Sequence, residues 1–301
     1  MKQHFGSTLS LVALPILAAL SVGCGSSDDP ANSAGGASAS AGSTSHAGAT
    51  GRAGASSHAG ANSTGGGNGA GGDPGNDGVY LGPTLATAQS FAALAYSAIS
   101  AANISPVTGN LGVSAGAVST ITGFDAPGDE KYGTDSLAPD DQRTIIAQQN
   151  VTALVGDIDP RACDADYTDV VGGLTGDITL HPGVTCMNSF SADVLLNGHV
   201  TLDAENDPNA FFVIRSNLTL TVADGAKVVL ANGAQACGVF WRVKKQVTIG
   251  KTVQFYGTII AGTAITMKTG STLVGRALAQ TADVALDANT ITIPSECSHL
   301  E

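Results

Sequence analysis

The chain has 301 residues, with 25 acidic against 13 basic side chains, a formal net charge of −12 and only 13% charged residues. This acidic balance argues against nucleic acid as a partner, and against anionic lipid except through a covalent anchor, since each needs a basic face. From residue 79 onward no apolar run is long enough to span a bilayer.

Residues 1–24 read as an export signal. Lys2 and His4 precede an apolar run from Leu9 to Leu20, and Ser21-Val22-Gly23-Cys24 follows. Small Gly23 before Cys24 looks like a bacterial lipoprotein signal, in which the cysteine is lipidated and becomes the mature N-terminus. Ser21 stands where such signals usually carry Leu, Val or Ile, and an ordinary secretory signal with a chance cysteine is the competing reading. Gly25 and Ser26 follow the cysteine, and by resemblance to lipoprotein sorting in Gram-negative bacteria the absence of Asp there implies the outer membrane.

Residues 25–78 contain 41 Gly, Ala, Ser or Thr among 54 and no large apolar side chain. With nothing to bury, ordering this backbone costs about 1–2 kcal/mol per residue without return, so the segment is expected to be a disordered tether. Its mean span is about 40 Å. Anchor, tether and one folded domain suggest display at the cell surface.

Residues 79–301 are long enough for one domain with its own core, and carry 21 acidic and 11 basic residues. Four cysteines remain there: Cys163, Cys186, Cys237 and Cys297. An even count in an exported domain points to two disulfides, with three connectivities open. Zinc needs short Cys-x₂₋₄-Cys spacings, which are absent, and only His181 lies near in sequence, so no metal or cofactor is expected.

Within the domain, Leu81 to Phe124 is small and β-prone, enough for one or two coils. Ala138 to Val155 changes period. Pro139 opens it, Asp140 and Asp141 fill its first turn, and Ile145, Ile146, Ala147, Val151, Leu154 and Val155 recur at helical spacing. This is the one long helix expected, with its apolar stripe resting on the flank of the β structure. After Asp157 the signals are β again: Val200-Thr201-Leu202, Leu218–Val222 and Lys227–Leu230, separated by Asp-Pro, Asn-Gly and Asp-Gly turns. Phe211-Phe212-Val213-Ile214 and Val239-Phe240-Trp241 supply the bulky core.

Near the C-terminus a repeat is visible. Phe255-Tyr256-Gly257-Thr258-Ile259-Ile260-Ala261 and Leu273-Val274-Gly275-Arg276-Ala277-Leu278-Ala279 follow one pattern 18 residues apart. The same offset carries Val247-Thr248-Ile249 onto Ile265-Thr266-Met267, and one residue more reaches Val284-Ala285-Leu286. A unit of 18 extended residues makes a loop of about 60 Å, enough for three short strands and three corners. That is one rung of a β-solenoid, stable only when stacked between others.

The ordered motifs Thr179-Leu180-His181-Pro182-Gly183-Val184, Leu202-Asp203-Ala204, Asp207-Pro208-Asn209-Ala210-Phe211, Ala231-Asn232-Gly233-Ala234-Gln235, Val239–Val243, Gly257–Ala261, Gly275–Ala279 and Leu286-Asp287 resemble the DUF3494 ice-binding protein family. Phe91–Ala95 and Thr122-Gly123-Phe124 fit as well, so the resemblance spans about 81–297. It implies a mainly β fold: a right-handed, discontinuous β-solenoid of triangular section with one long α-helix packed alongside. It also implies the pairings Cys163–Cys186 and Cys237–Cys297, and an ice crystal surface, meaning ordered water, as partner of a monomer.

Binding ice requires no reactive group. It requires a flat, rigid face on which many weak contacts form together. A solenoid repeats every 4.7–4.9 Å, and Thr holds a methyl and a hydroxyl in fixed directions. Alternation turns Val247, Ile249, Ile265, Met267, Val284 and Leu286 inward and Thr248, Thr266 and Ala285 outward in one column, which Thr201, Thr219 and Thr221 are expected to continue. The T-A/G-x-T/N pattern associated with some ice-binding relatives is read once in full, as Thr269-Gly270-Ser271-Thr272, adding Thr269 and Thr272, and in part at Thr281-Ala282-Asp283-Val284. The bland reading of any one of these is packing, since Thr is common in strands. Lys244 and Lys245, where relatives often carry serines, and Lys251, Lys268 and Asp283 bring hydrated charge close to the face and predict weak or moderate activity.

Two rival functions remain. A carbohydrate-active enzyme needs paired carboxylates in a cleft, whereas Asp203, Asp207, Asp224 and Asp287 sit in turn dipeptides. The acidic run of Asp157, Asp159, Asp164, Asp166 and Asp169 lacks the glycine and glutamate spacing of a calcium loop. No enzyme is therefore expected. A surface adhesin for extracellular polysaccharide or another cell fits the tether as well as ice does.

Overall fold

The computed structural model describes residues 82–124, 130–134, 142–167, 174–187 and 193–294. The signal, Cys24, the tether, Pro139, Asp140, Asp141 and Cys297 lie outside them.

A complete coil lays one strand on each of three faces, here A, B and C. The first coil is β1 (Phe91–Ala95), β2 (Ile99–Ala101) and β3 (Val107–Thr108); the second holds β4 (Asn110–Val113) and β5 (Ile121–Thr122), and β6 (Lys131–Tyr132) follows on face A. Helix α1 (Arg143–Ile158) comes next. Then come β7 (Ala165–Asp166), β8 (Leu174–Thr175) and β9 (Ile178–Leu180); β10 (Gly183–Met187), β11 (Val194–Asn197) and β12 (His199–Asp203); and β13 (Phe212–Ser216), β14 (Leu220–Val222) and β15 (Lys227–Ala231). The final coils use β16 (Val239–Val243), β17 (Val247–Ile249), β18 (Gln254–Ala261), β19 (Ile265–Met267), β20 (Thr272–Ala279), β21 (Val284–Leu286) and β22 (Thr290–Thr292).

All strand pairs are parallel, and the 18-residue repeat is the stacking period. Val247 lies on Ile265, Phe255 on Leu273 and Ile259 on Ala277, while the 19-residue step places Val284 on Ile265. Strands β18 and β20 turn from face C to face A without a break. Gly257, at φ 110°, makes this possible, and a Cβ on Gly275 would stand 1.9 Å from the Gly257 carbonyl oxygen. Inside, the tilted rings of Trp241 and Phe255 lie 4.8 Å apart, and the Trp241 indole N–H donates to the Tyr256 carbonyl at 2.9 Å.

Space and sequence diverge at the chain ends. Along face B the order is β5-β2-β21-β19-β17-β14-β11-β8. The first coil packs on the last through β1–β20, β2–β21 and β3–β22. The chain thus builds two coils toward one end, crosses along α1 to the other end, and winds back to meet its own beginning. This is the discontinuity that the resemblance implies.

Helix α1 buries Thr144, Ala147, Val151, Leu154 and Ile158, a stripe at alternating steps of three and four. It covers outward residues of six adjacent face A strands: Leu94, Leu278, Ile260, Phe240, Val213 and Val184. Sixteen helical residues rise about 24 Å, and five strand spacings also measure about 24 Å. The helix is therefore as long as the hydrophobic strip it seals. Ile145 and Ile146, expected in the stripe, are 37% and 42% exposed because it passes through Thr144 and Ala147 instead.

At its C-terminus the helix is held by two arginines. Arg215 Nη1 donates to the carbonyls of Ile158 and Asp159 at 3.2 and 2.5 Å, satisfying carbonyls that the helix leaves open. Arg242 makes a two-pronged pair with Asp159, Nε to Oδ1 at 3.1 Å and Nη2 to Oδ2 at 3.2 Å. The Cys163–Cys186 disulfide ties the following loop to β10. Cys237 is also disulfide-bonded, and Cys297 lies outside the described residues.

Candidate functional site

Face B is made of short strands with an in–out–in pattern. Ile99, Val284, Ile265, Val247 and Leu220 are buried on one side of each central residue, and Leu286, Met267, Ile249 and Val222 on the other. On the four strands from β21 to β14 two buried anchors fix the backbone at the central residue. The register then stacks these central residues in one column: Thr122, Ser100, Ala285, Thr266, Thr248, Thr221 and Leu195. Seven rungs span about 29 Å at the usual strand spacing. Thr122 and Thr266 are exposed and the other five half-exposed.

Ser100 and Thr122 were not among the candidates read from sequence. Their strands carry the same outward position, but their place beside Ala285 follows only from the docking of the first coil on the last. The sequence did hold one further signal: Thr263-Ala264-Ile265-Thr266 also fits the T-A/G-x-T/N pattern, and it runs directly into β19.

The structure separates the seven candidate threonines. Thr221, Thr248 and Thr266 share the column. Thr201 does not continue it, because it lies on face C in register with Thr179 and Val229. Thr272 is exposed on face C, between Gln254 and Thr290. Thr219 is 7% exposed at a corner, where its N–H meets Asp193 Oδ1 at 3.2 Å, so it offers no surface. Thr269 sits at the B–C corner and donates its hydroxyl to Asp287. Strand alternation tells inward from outward but is the same on every face, which is why sequence spacing merged faces B and C.

The B–C corner is rigid. Asn289 is fully buried and donates to the Lys268 carbonyl and to Ser271 Oγ, both at 2.8 Å, while accepting the Asp287 N–H at 2.7 Å. Outside it, Asp287 accepts from Thr269 and from Asn103 Nδ2 at 2.5 Å. The Thr269 hydroxyl first, then the Asn103 amide, with Lys251 nearby, hold the Asp287 carboxyl below its ordinary 3.8. Three successive coils are thereby linked across one edge of face B.

The charges divide unevenly. Asp283 and Gln246 occupy the outward position two residues before Ala285 and Thr248, so they flank the column directly. Lys244 instead lines a cleft toward the end of α1 with Asp159, Arg215 and Arg242. Lys245 is exposed at the A–B corner, and Lys251 and Lys268 at the B–C corner.

A protein-family model described as ice-binding-like matches residues 93–292. An ice-binding protein of Nostoc sp. (strain HG1) is 38% identical over 208 residues, covering 69% of this chain and 72% of that protein. The crystal structure of an ice-binding protein from an Antarctic biological consortium superposes with a TM-score of 0.63 at 32% identity, covering 76% of this chain and 98% of that one. The structure of an ice-binding protein with antifreeze activity from Arctic yeast gives a TM-score of 0.64 at 29% identity, covering 72% and 98%.

Proposed function

The chain belongs to the ice-binding-like family, and from that premise we propose that it adsorbs to ice through face B. The observation that supports this choice of face is the column from Thr122 to Thr221, one short or β-branched side chain per rung. Face A is covered by α1. Face C interrupts its outward positions with the large or charged side chains of Tyr256, Lys227 and His199.

Adsorption of this kind uses no bond-making step. Thr122, Thr221, Thr248 and Thr266 present methyls that water cannot hydrate strongly beside hydroxyls that hold single waters, with χ1 stiff in each. Because the face is ordered before binding, many such contacts form without a side-chain entropy cost. Asp283 and Lys245 at one edge, and Leu195 with Asp193 at one end, limit the regular area to the rungs from β5 to β14. Moderate activity follows from that limit.

We extend the reading to location. A lipidated Cys24 and residues 25–78 as tether would display a monomeric domain at the cell surface, where ice binding holds the cell on ice. The support is the sequence of residues 1–78. Intact mass of the mature N-terminus tests it: a diacylglyceryl group on Cys24 is expected, and cleavage elsewhere without lipid rejects it.

Thermal hysteresis and recrystallisation inhibition at micromolar protein test the ice reading. Activity in either supports it. None in both, from protein folded by circular dichroism, rejects it in favour of an adhesin for extracellular polysaccharide.

A further inference from the structure

Beside the helix C-terminus, where β13 and β16 leave face A toward face B, is a cleft of about 190 Å³ lined by Asp159, Arg215, Ser216, Asn217, Arg242 and Lys244. We propose that it binds a tetrahedral oxyanion, a phosphate or sulfate group, independently of the ice-binding face.

The charge balance carries the proposal. Three cations converge on the cleft and one carboxylate answers them. Asp159 is consumed by the two-pronged pair with Arg242, whose side chain is only 8% exposed. Arg215 is oriented by the Ile158 and Asp159 carbonyls, and its Nη2 lies 3.0 Å from Cys186 Sγ. Neither guanidinium can leave, because each is fixed by the helix end or the disulfide. The Lys244 ammonium makes no hydrogen bond or ion pair among the described residues, and neither does the Asn217 amide. Two fixed guanidinium groups, one buried and one half-buried, with an exposed ammonium beside them outnumber the one carboxylate and favour an anion over water at the same place.

Geometry narrows the ligand. Lys244, Asn217 and the two guanidinium groups come from two neighbouring strand ends to line one cleft, and the lining is polar. A compact oxyanion with acceptors on every side suits this better than a flat carboxylate, which is matched by a single guanidinium fork. The protein as a whole carries −12, so generalised attraction of anions does not explain binding here.

The test uses the full chain with Cys24→Ser, to avoid lipidation, and inorganic phosphate as probe. Calorimetric titration is run against sodium chloride of equal ionic strength. Saturable phosphate binding is expected, weakened at least tenfold in Lys244→Ala and unchanged in Lys245→Ala, whose side chain lies outside the cleft. Lys244 is exposed, so its removal leaves folding intact, which circular dichroism verifies. No saturable binding, or equal loss in both variants, overturns the proposal.

Discussion

Ser100 and Ala285 stand in register on β2 and β21, although one belongs to the first coil and the other to the last. Their pairing makes face B continuous: without it the column would end at Ala285 on one side and hold only Ser100 and Thr122 on the other. The proposed binding surface therefore depends on closure between the two ends of the folded chain. α1 imposes that closure by carrying the chain from one end of the stack to the other.

Ala285 is the gap in an otherwise hydroxyl-bearing run from Thr122 to Thr221. Ala285→Thr places a methyl and hydroxyl at the vacant rung between Thr266 and Ser100. Hysteresis at equal molar concentration is expected to rise, with stability changed by no more than about 0.5 kcal/mol. A fall in hysteresis in the folded variant would count against the column.

Arg242 and Asp159 tie the end of α1 to face A. Arg242→Ala leaves the carboxylate without its main partner. Full burial would set the loss at about 3–5 kcal/mol; Asp159 is 28% exposed, so we expect about 2 kcal/mol in urea unfolding. A change below about 0.5 kcal/mol would mean the arginine is held by packing alone.

The Cys163–Cys186 bond closes a loop of sequence separation 23. Replacing both cysteines by Ser should lower stability by about 3 kcal/mol through the gain in unfolded-chain entropy. Hysteresis per folded molecule should not change, since the bond lies on face A. Loss of hysteresis from fully folded protein would place the disulfide in the binding surface.

Asp287 gives a pH dependence with a defined sign. Its carboxyl is held below 3.8 in the folded state by Thr269 and Asn103, so the unfolded chain takes up the proton first. The stability it contributes is complete above about pH 4 and is lost as pH falls through the folded-state value. Melting temperatures of wild type and Asp287→Asn should therefore differ most above pH 4 and converge as pH falls through the folded-state value. A difference independent of pH contradicts this role.

Much of the fold was legible in the chain because the constraint repeats. Gly257 and Gly275 recur at 18 residues where a strand turns a corner, and the alternation around Thr248, Thr266 and Ala285 follows from burial. The helix showed itself by period, though its stripe starts from Thr144 rather than the isoleucines. The closure was not legible from spacing, since β2 and β21 are far apart in sequence and any outward position in one coil matches any other. For the same reason Thr201 and Thr272 could not be assigned to face C without register. That Thr269 sits at the B–C corner with its hydroxyl given to Asp287 was likewise not legible, because its partner lies 18 residues away in the next coil.

The most direct measurement compares thermal hysteresis of Thr266→Tyr and Thr272→Tyr, two exposed threonines on faces B and C. Each places a ring where it cannot disturb the core, so both proteins should melt within a few degrees of wild type. Thr266→Tyr is expected to abolish hysteresis, by lifting the flat face off the crystal, while Thr272→Tyr leaves it intact. Retained hysteresis in Thr266→Tyr together with its loss in Thr272→Tyr would move the binding surface to face C.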